Sequence, residues 1–258
     1  MTTHPTSNSL PYAPPVLVAS QEEARARLFY LVETSGELAL LMGDSGSGKT
    51  LLLKIAAEEL RAPDRSIALV SGLHATSIDL LTSLAAAWQL GISAQASQQT
   101  IWQRVTARMV ELRMEASHII LLIDDASEAT SEFLDTVSRL IAVAQLHEVP
   151  LTIVLSTTAE SAAKLGSRLL SLAQLRIDLE PLSPDETQTL IETTVGKQFP
   201  TIALSQQAIF RLQELACGQA RAILQIGQLA LVAARASDES VVDVELLDDV
   251  CQNLSMVH

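Results

Sequence analysis

The chain has 258 residues, of which 48% are hydrophobic and 18% are charged. This composition excludes disordered and fibrous classes, and it suits one large α/β domain or a core of about 180 residues with a small appended domain. The formal net charge of −13 makes nucleic acid an unfavourable partner unless the basic residues gather on one face.

The N-terminal segment is rich in Thr, Ser and Pro, which predicts a flexible arm over residues 1–16. It carries neither the pattern of a signal peptide nor that of a transit peptide. Because no apolar run reaches about 18 residues, we expect no membrane insertion. Cys217 and Cys251 lack metal-ligand spacing, and a cytoplasmic location is expected.

Apolar runs that alternate with helical patterns follow this arm. A helix is predicted over 20–34, with Ser20 and Glu23 as its capping box. Strands are predicted at 38–42, 66–71, 118–124, 151–156 and 175–179, with helical patterns between them. This alternation predicts an α/β fold, a parallel sheet covered by helices in three α/β/α layers, over residues 17–180.

The pattern changes after Leu179, where we expect the strands to stop. Ser183 and Glu186 form a second capping box, with Pro184 at the first helical position. Helices are predicted near 184–195, 205–216, 219–236 and 243–254. Residues 181–258 are therefore predicted to form a small all-helical domain.

The segment GDSGSGKT at residues 43–50 matches the P-loop pattern G-x-x-x-x-G-K-[ST] between a predicted strand and a predicted helix. Glycines let backbone N–H groups wrap a phosphate, Lys49 reaches the β- and γ-phosphates, and the Thr50 hydroxyl binds Mg²⁺. The alternative is a chance glycine turn. The predicted nucleotide ligands in this segment are Gly43, Asp44, Ser45, Gly46, Ser47, Gly48, Lys49, Thr50 and Leu51.

A second motif is the apolar strand IILLI followed by Asp124 and Asp125. A carboxylate at the end of such a strand lies beside the metal of a P-loop, so Asp124 is predicted to bind Mg²⁺. Asp125 is predicted to polarise the attacking water. For both residues the alternative is an acidic helix cap.

These motifs, together with LEPLSPDETQ at 179–188 and GQARAILQ at 218–225, resemble AAA+ ATPases of the ExeA/GspA secretion type and their transposition relatives TniB, TnsC and MuB. The resemblance covers residues 17–254. It implies a P-loop NTPase (AAA+) core with a helical lid, ATP and Mg²⁺ as ligands, ATP hydrolysis, and a homo-oligomer in the ATP state that regulates a partner. Because of the net charge, a protein partner is favoured over double-stranded DNA.

The resemblance also implies roles for residues outside the two motifs. Gly218 and Arg221 resemble the sensor 2 motif, with Arg221 contacting the γ-phosphate. Arg176, with Arg168 as the second choice, resembles the arginine that such ATPases offer to a neighbouring subunit. Thr157 or Thr158 lies where sensor 1 is expected. At each of these positions an ordinary surface or turn residue is the alternative.

The chain departs from the family at the acid pair, where Asp-Glu is usual. Asp125 is one methylene shorter than glutamate, and a displacement of about 1 Å can cost about a hundredfold in rate. We therefore expect slow hydrolysis, and a nucleotide-binding interaction module that hydrolyses little is the alternative function.

Overall fold

The computed structural model describes residues 16–93 and 95–255. The arm predicted over residues 1–16 therefore lies, apart from Val16, outside the described residues. The main feature is a five-stranded parallel sheet in the order β2-β3-β4-β1-β5. Its strands are β1 Leu38–Gly43, β2 Arg65–Ser71, β3 His118–Asp124, β4 Leu151–Thr157 and β5 Leu175–Leu179.

Helices cover both faces of the sheet and also form the C-terminal region. They are α1 Ala19–Glu33, α2 Lys49–Glu59, α3 Ser77–Ala87, α4 Gln98–Met114, α5 Ser131–Leu146, α6 Gly166–Leu172, α7 Pro184–Thr193, α8 Gln206–Leu215, α9 Ala220–Ala236 and α10 Val244–Ser255. The predicted α/β fold, a P-loop NTPase sheet followed by a helical region, is confirmed.

The three central strands, β1, β3 and β4, are buried on both faces because helices pack against each face. In β3, Ile119, Leu121 and Ile123 pack in a core with α3, α4 and α5. The alternate residues Ile120 and Leu122 pack in a second core with α1 and α2. This double burial explains why β3 is a continuous apolar run that ends only at the two aspartates.

Strand register brings the two predicted motifs to one edge of the sheet. All five strands are parallel, so their carboxyl ends lie at the same edge. Met42 pairs with Thr157 at the end of β1, and Asp124 pairs with Ser71 at the end of β3. The loop after β1 and the two acids at the end of β3 therefore lie at the same edge of the sheet, on either side of β4.

A third core lies among the helices that follow β5, which we call the lid. Leu182, Leu190, Leu212 and Ile223 belong to it, together with Val18 from before α1. The lid also contains a parallel pair of two-residue strands, β6 Ala203–Leu204 and β7 Val241–Val242. The expectation that strands stop after Leu179 was wrong here, because two residues are too few to show a period.

The start of α1 also differs from the prediction. The helix begins at Ala19 after Val18, so Ser20 and Glu23 do not cap it. The backbone N–H of Ser20 instead donates to Glu186 Oε1 at 2.8 Å, a partner from α7 that local sequence could not indicate. The second predicted capping box is present, since Glu186 Oε2 accepts from the Ser183 N–H at 3.0 Å.

Within residues 16–93 and 95–255, the helices are too short or too polar for any of them to cross a membrane.

Candidate nucleotide-binding site

The P-loop joins β1 to α2 and depends on its glycines. Gly46 and Gly48 have φ values of +84° and +108°, a left-handed conformation that residues with a Cβ adopt at a cost. A Cβ on Gly43 would lie 2.7 Å from Ser47 Oγ, so this position also accepts no side chain. The glycine spacing therefore produces a tight loop of the kind whose backbone N–H groups bind a phosphate.

Lys49 lies inside this loop, with only 6% of its surface exposed. Its Nζ donates to the carbonyls of Gly43 at 2.7 Å and Asp44 at 2.9 Å. Burial lowers the pKa of the Lys49 ammonium, and the carboxylates of Asp125, Asp124 and Asp44 partly offset that shift. A buried cation with nearby acids is well placed to meet the oxygens of a phosphate.

Other features of the loop also fit a phosphate. Ser47 Oγ is buried and has no hydrogen-bond partner among the described residues. Buried polar atoms normally have a partner, so this hydroxyl is available to hydrogen-bond a ligand. The first turn of α2 adds its partial positive charge. Asp44, Ser45 and Thr50 are exposed at the mouth of the loop, and Leu51 is partly buried.

Asp124 and Asp125 form a sharp corner at the end of β3. Asp125 has φ 49° and ψ 43°, the left-handed region in which aspartate and asparagine are the commonest residues after glycine. Asp124 Oδ1 accepts a hydrogen bond from Ser156 Oγ at 2.6 Å. The same Ser156 Oγ accepts from the backbone N–H of Asp125 at 2.8 Å.

Burial and the charge of its neighbour Asp124 both affect the pKa of Asp125. Burial raises the pKa of the Asp125 carboxyl and the Asp124 carboxylate raises it further, while Lys49 and Arg221 act in the opposite direction. A carboxylate with a raised pKa is a stronger base, which fits the predicted water-polarising role of Asp125.

Helix α9 reaches this site from the lid. The backbone N–H of Arg221 donates to the Gly46 carbonyl at 3.1 Å, and a Cβ on Gly46 would lie 3.2 Å from Arg221 Cβ. Arg221 is exposed, and its charge acts on both Lys49 and Asp125. The structure thus places the predicted sensor 2 arginine at the P-loop.

Gly218, the other residue of that motif, packs against the segment that links the sheet to the lid. Its φ is +66°, and a Cβ there would lie 2.7 Å from Pro181 Cβ. The Leu182 N–H donates to the Gly218 carbonyl at 2.8 Å. Gly218 therefore fixes where α9 begins relative to the sheet.

The remaining predicted residues lie on β4, β5 and α6 and in the loop after β4. Arg176 is exposed on the edge strand β5 and pairs with Asp178 through Nε at 2.9 Å and Nη2 at 2.8 Å. Arg168 is exposed on α6. The buried Thr157 donates to the Thr158 carbonyl at 3.2 Å, and Thr158 Oγ1 accepts from the Ser161 N–H at 3.2 Å.

Three residues of the site were not predicted from the sequence. Ser156 Oγ hydrogen-bonds to both Asp124 and Asp125. The Gly72 N–H donates to the Asp124 carbonyl at 2.6 Å. Gln21 is buried, and its Nε2 donates to the Ser47 carbonyl at 3.2 Å. Ser156 is one of three hydroxyl residues in β4, with Thr152 and Thr157, so its sequence position alone did not single it out.

Comparison with known proteins agrees with this geometry. The family described as AAA domain matches residues 32–165, which is slightly more than half of the chain. The chain belongs to the AAA domain family. A comparison with curated proteins found no match.

Solved structures resemble this AAA domain in fold at low sequence identity. Aeropyrum pernix ORC1, solved in complex with DNA, has a TM-score of 0.70 at 20% identity, over 95% of this chain and 67% of that one. Pyrobaculum aerophilum Cdc6p gives 0.69 at 15%, over 90% and 66%. The Thermotoga maritima RuvB Holliday junction branch migration motor gives 0.59 at 15%, over 92% and 70%. The AAA+ part of the predicted resemblance is confirmed, whereas its secretion or transposition subgroup stays a prediction.

Proposed function

We propose that this AAA domain binds ATP with Mg²⁺ and hydrolyses it, as a switch that assembles through its nucleotide sites and regulates a partner. The observation that carries this proposal is the meeting, at one edge of the sheet, of the P-loop, the Asp124–Asp125 corner and the start of α9. Each supplies a different part of the chemistry of phosphoryl transfer.

Different residues are proposed to bind the phosphates, to bind Mg²⁺ and to activate the water. Residues 43–51 cradle the phosphates, and Lys49 supplies positive charge to them. Thr50 and Asp124 would hold Mg²⁺, which when bound neutralises charge on the phosphate oxygens. Asp125 orients the attacking water and accepts its proton.

Arg221 links the chemistry to the position of the lid. A guanidinium beside the γ-phosphate stabilises the negative charge that develops during transfer. Because the backbone of Arg221 already bonds to Gly46, a shift of α9 would move the P-loop and the arginine together. Nucleotide state and lid position are thereby coupled.

We further propose that hydrolysis depends on assembly. An arginine offered to a neighbouring subunit must be exposed, a condition that both Arg176 and Arg168 meet. Arg176 would exchange Asp178 for a phosphate of the neighbour, so assembly must compete with this ion pair. Thr157 is proposed as the sensor 1 residue, which would require its hydroxyl to leave the Thr158 carbonyl.

The partner is proposed to be a protein, in a role of the secretion or transposition type. The relative from Aeropyrum pernix was solved with DNA, but this chain has a net charge of −13, which opposes binding to a polyanion. Many of its arginines are moreover paired with carboxylates. The arginines in such pairs are Arg25, Arg27, Arg61, Arg65, Arg108, Arg113, Arg176 and Arg211.

A second candidate is a nucleotide-binding module that hydrolyses little. The observation that favours it is the short Asp125 side chain at a corner fixed by two neighbouring strands. If the corner cannot move, the carboxylate stays about one methylene further from the water than a glutamate would be, which can cost about a hundredfold in rate.

The test is ATP hydrolysis by the purified protein as a function of its own concentration, with and without double-stranded DNA. Lys49→Ala should lose nucleotide binding, and Arg176→Ala should lower the rate by about a thousandfold at high protein concentration. The control is Arg61→Ala, another exposed and ion-paired arginine, which should leave the rate unchanged.

A rate per subunit that rises with concentration and is lost in both variants would support the assembling switch. Stimulation by DNA would contradict the proposed protein partner. Tight ATP binding without turnover under all these conditions would replace the switch with the second candidate.

A further inference from the structure

The corner at Asp124–Asp125 determines where both acids of the site point. β3 ends at Asp124, and the left-handed Asp125 turns the chain into a short 3₁₀ segment at Ala126–Glu128. A residue with a side chain persists in this conformation only where its surroundings hold it. The contacts around the corner are therefore part of the site.

Ser156, on the adjacent strand β4, meets both acids with a single hydroxyl. It accepts from the Asp125 N–H at 2.8 Å and donates to Asp124 Oδ1 at 2.6 Å. The first bond holds the backbone of one acid, and the second holds the carboxylate of the other. One side chain thus couples the predicted metal ligand to the predicted water-polarising residue.

The position of Ser156 argues against a merely filling role. Ser156 is completely buried near the carboxyl end of the central strand β4, directly after the apolar residues Ile153, Val154 and Leu155. A buried hydroxyl costs free energy unless both its donor and its acceptor functions are satisfied. Here both are satisfied by the corner, and an alanine would fill the same space without those bonds.

Gly72 holds the corner from the opposite side. Its N–H donates to the Asp124 carbonyl at 2.6 Å. A Cβ on Gly72 would lie 2.7 Å from the Asp125 carbonyl oxygen and 3.0 Å from Ala126 Cα. The corner is therefore held from both sides of β3, by two hydrogen bonds of Ser156 on β4 and by one from Gly72, which directly follows β2.

We propose that Ser156 is a positioning residue of the nucleotide site, whose hydroxyl aims the Asp124 carboxylate at the metal and fixes the backbone from which Asp125 reaches the water. This inference rests on the proposed function and deepens it. Gly72 supports the same geometry from the loop directly after β2. Ser156 acts through the two aspartates and not by touching the nucleotide, which sets it apart from Thr157 on the same strand.

The test compares Ser156→Ala with Thr152→Val, which removes another fully buried hydroxyl of β4. Thr152 is a suitable control because its Oγ1 donates to the Gly36 carbonyl at 2.6 Å, at the other end of the strand. Binding of a fluorescent ATP analogue is titrated with Mg²⁺ and repeated in EDTA. Hydrolysis gives kcat and KM, and thermal unfolding reports the folded state.

Ser156→Ala should bind the analogue in EDTA within about twofold of the unaltered protein, because the P-loop is intact. Its Mg²⁺ requirement for half-maximal binding should rise by about tenfold to a hundredfold, the usual loss when a group that orients a metal ligand is removed. Its kcat should fall by a similar factor with little change in KM. Thr152→Val should change none of these.

An unchanged Mg²⁺ requirement in folded Ser156→Ala would overturn the inference while leaving the proposed function intact. If the unaltered protein bound no nucleotide, the proposed function would fail and the inference with it. Gly72→Ala gives a second measurement, because its Cβ must displace the Asp125 carbonyl and should shift the Mg²⁺ requirement in the same direction. A normal Mg²⁺ requirement in folded Gly72→Ala would count against a rigid corner.

Discussion

At the scale of single residues, the site depends on charges held close together away from full solvation. Lys49 is buried against two loop carbonyls, and the acids at 124 and 125 are half-buried beside it. Repulsion between neighbouring carboxylates is tolerated at functional sites because it tunes their basicity. Removing the charge of Asp125 should therefore lower activity without lowering stability.

Asp125→Asn tests this separation. Asparagine also tolerates the left-handed backbone, so the fold should be kept, while loss of the base should lower kcat by about 10² to 10⁴-fold. The raised pKa of Asp125 means that its ionised form opposes folding, so stability conferred by this group is lost as pH rises through its folded pKa. Asp125→Asn should thus melt no lower than the unaltered protein at pH 7, by calorimetry.

Two comparisons make the Asp125 measurement decisive. Asp125→Ala should be equally inactive but less stable than Asp125→Asn by about 1 kcal/mol, because alanine is strained at positive φ. Asp135→Asn, on the exposed side of α5, should change neither property. Full hydrolysis by Asp125→Asn would remove Asp125 from the mechanism.

At the scale of elements, the first turns of α1 and α7 share one cap. Glu186 accepts from Ser20 through Oε1 at 2.8 Å and from Ser183 through Oε2 at 3.0 Å. Burial of Glu186 would raise its pKa, but the hydrogen bonds from Ser20 and Ser183 outweigh it, so the pKa of this carboxyl is lowered. A helix of the sheet layer and a helix of the lid are thus joined by a single carboxylate.

Glu186→Gln should lower the unfolding free energy by about 1 kcal/mol at pH 7, the usual loss for a helix cap. Because the folded pKa is lowered, the contribution of Glu186 is present at neutral pH and is lost as pH falls through that pKa. The melting temperatures of Glu186→Gln and the unaltered protein should therefore converge toward acidic pH.

Asp185→Asn is the matched control for Glu186→Gln. Asp185 lies in the same first turn of α7 and, like Glu186, interacts with the helix dipole. The hydrogen bond to α1, however, is made by Glu186. Its effect at pH 7 should be smaller, at about 0.3 to 1 kcal/mol. Equal effects of the two substitutions would mean that the bond between α1 and α7 contributes nothing.

At the scale of the whole molecule, ligand binding should stabilise sheet and lid as one body, because the P-loop contacts α1 through Gln21 and α9 through Arg221. ATP with Mg²⁺ at a hundred times its Kd should add about 2.7 kcal/mol. For a domain of this size that corresponds to roughly 5 to 10 °C in melting temperature. Lys49→Ala should abolish the shift, and a shift that persists in Lys49→Ala would place the ligand elsewhere.

The sequence predicted the parts of the molecule that local pattern controls. Strand bounds agree with the structure to within a residue or so, because apolar runs and glycine turns are local signals. Ser156 and Gly72 were missed because their roles depend on β2 and β4 flanking β3, an order that no single segment encodes. Gln21 was missed for the same reason, since it acts on a loop 26 residues away.

The position of Val18 shows that the lid core includes a residue from the N-terminal side of the sheet. It precedes every strand of the sheet, yet it packs with Leu182, Leu190 and Ile223 in the lid core. A fragment cut at Leu182 would therefore expose the surface that Val18 covers and would lack part of its own interior. The lid is discontinuous along the chain. Its completion requires the segment before α1 to meet the helices after β5, as Ser20 and Glu186 do across 166 residues, and contacts of such long sequence separation lower the folding rate.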